Sequence, residues 1–303
     1  MNLKYKIYNI KFLAGWCLHV AGLWVLGTMI FLCGCTKKTE PVVTDGPMRI
    51  VSMAPNLTEI LFALGLDKEI VGVTRHCNIP AAAQSKPRIG TFWEPDIEAV
   101  LAARPTLVVT LGFEQQMQLA AQLEKIGCIV LTVEDFESTS LLYDGIVTMG
   151  HAVQRDAAAQ AMVTRLSAAQ EAMRTRYSGR PARKVLWVIQ REPLRVAGVK
   201  TFISEMIETV GGVNAIGPTL NVYPPIGAEE VYAAAPDVII EPANMPDQRD
   251  AQQRTAAAFY AAFKSVPAVQ NGEVYVLDGD LVSRLGPRLD EALEQVAQCV
   301  WKE

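Results

Sequence analysis

The chain has 303 residues, half of them hydrophobic, with a net charge of -4 and ordinary glycine and proline content. That composition defines a globular protein with room for two cores and excludes disordered and collagen-like chains. The balance is slightly acidic and the body of the chain has no basic run, so a phosphate backbone finds no electrostatic footprint and nucleic acid is excluded as an expected partner.

In chain order, Lys4, Lys6 and Lys11 precede an almost uncharged apolar run from Phe12 to Gly34 that ends in "LCGC". Basic residues before an apolar stretch read as a signal segment, residues 1–34. Taken as a helix the run would extend roughly 33 Å, which leaves an uncleaved anchor as the alternative. Leu32, Cys33, Gly34 and Cys35 resemble a bacterial lipobox, and that resemblance implies maturation at Cys35 with a lipid left on its thiol. Residues 35–47 are polar and proline-bearing, as a tether between a lipid and a folded body should be. Of six cysteines, Cys77, Cys128 and Cys299 then remain in the mature body. An odd number cannot all pair, the spacing selects no pair, and three buried free thiols are expected.

From Arg49 the pattern predicts strand ("RIVSM"), helix from about Asn56 ("NLTEILFALGL"), strand ("EIVGVT"), helix ("DIEAVLAAR"), strand ("TLVVT"), helix ("EQQMQLAAQLEKIG") and strand ("CIVLTV"). Asn56 followed three residues later by Glu59 predicts a helix cap. Residues from about Arg155 to Tyr177 contain no Gly or Pro and are rich in Ala, Gln, Arg and Met, so one long helix is predicted, stopped by Gly179 and Pro181. A second series follows: strand ("KVLWVI"), helix ("TFISEMIETVGG"), helix ("AEEVYAAA"), strand ("DVIIE"), helix ("AAAFYAAFKS"), strand ("EVYVLD") and a closing helix ("RLDEALEQVAQCVW"). Strands alternating with helices predict an α/β protein of two Rossmann-like lobes, with parallel-type sheets joined by one long helix. The boundaries are 48–150 for the first lobe, 151–180 for the linker helix and 181–303 for the second lobe.

Two phrases occur once in each series. "IEAVLAARPTLVV" and "AEEVYAAAPDVII" align on Glu98 and Glu229, each seven residues before a Pro. "TEILFALG" and "SEMIETVG" align on Glu59 and Glu205, each six residues before a Gly. Helices that end before Pro or Gly produce one such match by chance, whereas two in the same order favour related lobes.

An exported chain with "RIVSMAPNLTEILFALG", "VGVT", "GTFWEPDIEAVLAARPTLVV", a long Ala-rich helix, "ETVGGVNAI", "GAEEVYAAAPDVII" and "LDGDLVSRLGPRL" resembles the substrate-binding proteins of ABC importers. The resemblance is to the helical-hinge class that serves cobalamin, haem and ferric siderophores, with the cobalamin-binding branch most similar. It implies a monomeric receptor on the periplasmic or extracytoplasmic face, attached to the membrane through lipid on Cys35, that captures a cobalamin-type macrocycle and delivers it to a dimeric ABC permease with its ATPase. It implies no cofactor of the protein's own and no catalysis. It also implies that one surface Glu per lobe, Glu98 and Glu229, docks into arginine pockets of the permease. A carboxylate at each lobe surface suits bidentate guanidinium recognition by a two-fold partner. The alternative is that each Glu merely complements a helix dipole.

Ligands meet open α/β lobes beyond the carboxyl ends of strands, which points to His76, Phe92, Trp93, Tyr223, Asp280 and Arg284. Aromatic faces with a few polar groups suit a large flat macrocycle. The resemblance puts Phe92, Tyr223, Asp280 and Arg284 on pocket positions, while His76 stands where the cobalamin-binding branch carries a tyrosine. An imidazole there is a candidate axial ligand to cobalt or iron, or else a packing residue at the rim. Asp280 and Arg284, spaced i and i+4, are alternatively a local ion pair. Arg191, Lys200 and Trp187 are weaker candidates from the second lobe. Haem or a ferric siderophore is the alternative ligand. A zinc or manganese receptor needs more His than His76 and His151 supply. Ser52, His76 and Asp280 form a nominal hydrolase triad, but neither "GxSxG" nor a phosphate loop accompanies them.

Overall fold

The strand stretches are aliphatic runs rather than alternating ones, which is what a sheet covered on both faces requires. In the computed structural model, which describes residues 41–42, 46–244 and 248–302, β1 (Ile50–Ser52), β2 (Ile70–Val73), β3 (Leu107–Leu111) and β4 (Val130–Val133) form a four-stranded parallel sheet in the order β2-β1-β3-β4. Helices α1 (Pro55–Ala63), α2 (Ile97–Ala102) and α3 (Glu114–Lys125) connect them. The expected signal segment, Cys35 and most of the expected tether lie outside the described residues. Among the described residues no helix is long and apolar enough to cross a membrane.

The second sheet contains β5 (Arg183–Arg191), β6 (Leu194–Val196), β7 (Gly212–Asn214), β8 (Val238–Pro242) and β9 (Val274–Leu277). Strands β7, β8 and β9 run parallel to the β5 direction, and β6 returns antiparallel on β5. Its helices are α6 (Phe202–Thr209), α7 (Ala228–Ala234), α8 (Arg249–Tyr260), the short α9 (Pro267–Gln270) and α10 (Gly279–Val282), and α11 (Leu289–Trp301).

Between the sheets runs α5, Asp156–Tyr177, a single helix of 22 residues. Ala159, Met162, Leu166, Gln170 and Tyr177 form its buried stripe at helical spacing. Each fully buried aliphatic side chain there contributes roughly 1.5–3 kcal/mol. One hydrophobic core continues from Ile50, Leu57 and Val109 in the first lobe, through Met162 and Leu166, to Trp187, Val238 and Leu293 in the second. The hinge is therefore packed through its middle.

The structure departs from the sequence reading in several places, and the short elements β6, β7, α9 and α10 had no counterpart in it. A helix of 14 residues, α4 (Thr139–Ala152), precedes the long helix where none was expected. Gly145, Gly150 and the β-branched Ile146, Val147 and Thr148 weaken its helical signal. Yet a Cβ on Gly150 would lie 2.3 Å from that of Ala159, so glycine is what lets α4 close onto α5. The proposed Asn56–Glu59 cap does not form: the N-cap of α1 is Ala54, with Pro55 supplying the first turn, and Glu59 is buried and faces the other lobe. Finally, α8 starts at Arg249 and ends at Tyr260, earlier than its apolar tail suggested. Its polar first turns cover the sheet edge through Arg249 to the Val276 carbonyl and Gln253 to Val274 and Val276.

The paired phrases persist in backbone conformation. Arg104 and Ala235, each preceding a Pro, adopt left-handed φ of 48° and 44°. Gly65 and Gly211 take φ of 79° and 77°. Helices at corresponding places in the two lobes thus end by the same device, a left-handed residue that stops the helix.

Candidate functional site

The carboxyl ends of the strands of both lobes converge on a cleft. Its main cavity has a volume of about 600 Å³ and is lined from the first lobe by Phe92, Trp93, Phe113, Asp135, Phe136 and Glu137, and from the second by Ile189, Lys200–Ile203, Val222, Tyr223, Pro242 and Ser283. An adjoining cavity of about 320 Å³ adds Asn56, His76 and Arg284 to that wall. Such volumes lie in the range of small-molecule sites.

Three rings make up one wall. Phe92 and Phe113 lie 4.8 Å apart and tilted by 30°, with Trp93 set edge-on to both at 4.8 and 5.7 Å. Trp93 is 65% exposed, which leaves its face open to whatever enters. The loop bearing Phe92 is pinned from below by Gln116, whose amide donates to the carbonyls of Met53 at 2.8 Å and Phe92 at 3.2 Å while its oxygen accepts from Thr110 and Leu111. Facing them, Tyr223 sits on a loop held by Arg195, which donates to its carbonyl, and by the Gly198 N–H bonded to Val222. Burial raises the Tyr223 phenol above its ordinary pKa, and the nearby carboxylates of Asp135 and Glu137 raise it further.

Five of the six pocket residues named from sequence, His76, Phe92, Trp93, Tyr223 and Arg284, line these two cavities. Asp280 is set behind them. Its carboxylate pairs with Arg284 and accepts from Asn78 at 2.6 Å. Arg284 also donates to Asn78 at 2.7 Å and stands 3.6 Å from Glu59, which Arg288 meets at 2.7 and 3.1 Å. Glu59, Asn78, Asp280, Arg284 and Arg288 thus form one polar cluster joining the lobes beneath the cleft. Lys200 lines the main cavity. Arg191 faces a separate cavity between β5, β8 and α8, its guanidinium bonded to Glu241 at 2.6–3.1 Å, and Trp187 is wholly buried in the core. Ser52 is buried and bonded to Thr58 and the Ala54 carbonyl, so the nominal triad with His76 and Asp280 is not assembled. His151 is bonded to Asp156 at 2.8 Å where α4 meets α5.

Phe113, Asp135 and Glu137 were missed in the sequence because they follow β3 and β4 with no motif around them. The strand-end rule that found His76 would have found them too. Gln116 had no signal at all.

Glu98 and Glu229 stand exposed in the first turns of α2 and α7. The capping work in these helices is done by neighbours: Asp96 accepts from the Glu98 and Ala99 N–H groups, and Glu230 accepts from Gly227. The side chains of Glu98 and Glu229 make no ion pair among the described residues.

Two α/β lobes, a long packed helix between them and an aromatic cleft where the strand ends meet define a bilobal binding-protein fold. The chain belongs to the periplasmic binding protein family, whose model matches residues 50–281, and it is a substrate-binding protein of an ABC transporter, a family of transport proteins. It is 29% identical over 318 residues to the uncharacterized ABC transporter substrate-binding lipoprotein YvrC of Bacillus subtilis, covering 93% of this chain and 98% of that one. To the vitamin B12-binding protein of Vibrio cholerae it is 26% identical over 250 residues, 82% of this chain and 87% of the relative. Among solved structures, the periplasmic heme-binding protein RhuT from Roseiflexus sp. RS-1 superimposes with a TM-score of 0.73 at 26% identity, covering 85% and 99% of the two chains.

Proposed function

We propose that this protein is a lipid-anchored receptor that captures a corrinoid, cobalamin, in the inter-lobe cleft and delivers it to a dimeric ABC permease. The observation that carries the reading is the wall formed by Phe92, Trp93 and Phe113 opposite Tyr223 across a cavity of about 600 Å³. Flat rings at low entropy cost are what a large macrocycle needs, and the lining polar groups orient it. The kinship with the vitamin B12-binding protein supports the same ligand. Glu98 and Glu229, unpaired and related by the lobe repeat, are the proposed permease contacts, and Cys35 is the proposed lipid site.

Haem is the second reading, favoured by the likeness to a heme-binding structure and by His76, whose ring lines the adjoining cavity as a candidate axial ligand. The experiment is a tryptophan and tyrosine fluorescence titration of the protein truncated after Cys35, with cyanocobalamin, haemin and a ferric hydroxamate in parallel. Saturable quenching by cyanocobalamin at the lowest concentration supports the corrinoid reading. Saturation by haemin or the hydroxamate alone overturns it in favour of another ligand of the same transport class.

A further inference from the structure

The charges facing the cleft are unequal in an informative way. Among the described residues Arg284 is the one guanidinium in the lining, and it is committed to Asp280, Asn78 and Glu59, with Arg288 completing the partners of Glu59. Two carboxylates and two guanidinium groups close this cluster at zero net charge. What remains toward the main cavity, His76 aside, is Asp135 and Glu137 from the first lobe and Lys200 from the second. None of these three makes an ion pair among the described residues, so the described part of the wall keeps one negative charge in excess. The two carboxylates stand two and four residues beyond the end of β4 and lie near the Tyr223 phenol across the cleft. Partial burial raises the Asp135 carboxyl, the mark of a carboxylate losing water without gaining a cation.

We infer that Asp135 and Glu137 are specificity determinants that admit a neutral or cationic chelate bearing amide groups and reject one bearing carboxylates. This rests on the proposed function, since it concerns the same cleft. A corrinoid carries amides around its rim, whose N–H groups are donors to these two acceptors, and forms lacking the nucleotide phosphate carry net positive charge. Haem presents two propionates. In this cleft they would meet two like charges with a single unpaired ammonium to offset them, and Arg284 is held by partners it would have to abandon. The same reasoning rejects polyanionic ferric chelates.

The test compares aquacyanocobinamide, cyanocobalamin and haemin on the wild-type protein, on the Asp135→Asn, Glu137→Gln double variant and on Lys200→Met. Both acidic side chains line the cleft and belong to no hydrophobic core, so thermal melts should show all three proteins folded alike. Removing two carboxylates should lower the preference for aquacyanocobinamide over haemin by about tenfold, and removing the ammonium should raise it, both changes shrinking as salt is added. An unchanged preference in the double variant, with corrinoids still bound, overturns the inference alone. Tighter binding of haemin than of either corrinoid by the wild type overturns it together with the corrinoid reading, and binding of none of the three overturns the proposed function on which it stands.

Discussion

Glu59 and Glu205 hold the same offset in the two lobes, and each carboxylate crosses to the opposite lobe: Glu59 accepts from Arg288 at 2.7 Å, and Glu205 accepts from the N–H of Thr139, at the start of α4, at 2.8 Å. The repeat seen in the sequence is thus a pair of reciprocal braces. They differ in kind. Glu59 is 4% exposed and meets two guanidinium groups, whereas Glu205 stabilises a helix N-terminus.

Removing one partner of a buried pair strands the other. Glu59→Gln should therefore cost about 3 kcal/mol, while Glu205→Gln, which keeps an acceptor for Thr139, should cost under about 1 kcal/mol. Burial raises the Glu59 carboxyl despite Arg288 and Arg284, so Glu59→Leu with Arg288→Met should recover part of the loss. Urea unfolding of the four proteins measures this, and equal costs for the two single changes would contradict it.

A pH dependence follows from Glu273. Burial alone would raise this carboxyl, but hydrogen bonds and charge from Lys302 and Arg183 hold it below its ordinary 4.5. A depressed native pKa contributes stability that is complete above the unfolded value and disappears as pH falls through the lower native one. Melting temperatures should fall on acidification below about pH 4.5 with a slope that Glu273→Gln reduces. An identical slope in the variant would locate the acid sensitivity elsewhere.

The three thiols of the body are free, Cys77 and Cys299 buried and Cys128 half-buried. Burial pushes Cys299 up to about 12 and raises Cys77 against the pull of its Thr58 and Thr74 bonds. A thiol reagent at about pH 8 should label Cys128 first, and the other two only on unfolding. Mass mapping of the labelled peptides reads the order directly.

A hinge helix packed through a continuous core resists bending, since bending breaks backbone hydrogen bonds and opens the core. Scattering profiles of the protein with and without its ligand should nearly superimpose. A clear decrease in radius of gyration on binding would show that the lobes close as a hinge.

Exposed and unpaired, Glu98 and Glu229 contribute little to the fold, because a first-turn Glu complements its helix dipole by only a few tenths of a kcal/mol. Reversing both charges to Lys should abolish permease-dependent uptake and leave ligand affinity unchanged. Titration and transport assayed on one preparation separate the two effects, and lost affinity would assign these residues to the pocket.

The sequence by itself determined the main strands and helices of the two series, the lobe repeat and the long helix, since aliphatic runs, Pro and Gly stops and an unbroken Ala-rich stretch are local signals. It also named five residues that line the cleft, because strand ends are readable once the strands are. Only the tertiary structure decided that α4 is a helix, since its glycines are there to meet α5, a contact invisible along the chain. Only it turned Asp280 away from the cavity and made Glu59 a brace rather than a cap, because the partners Asn78, Arg284 and Arg288 come from distant segments. The charge of the cleft belongs to the same category. It depends on which arginines are already neutralised, and neutralisation is a matter of distance in space that sequence separation does not encode.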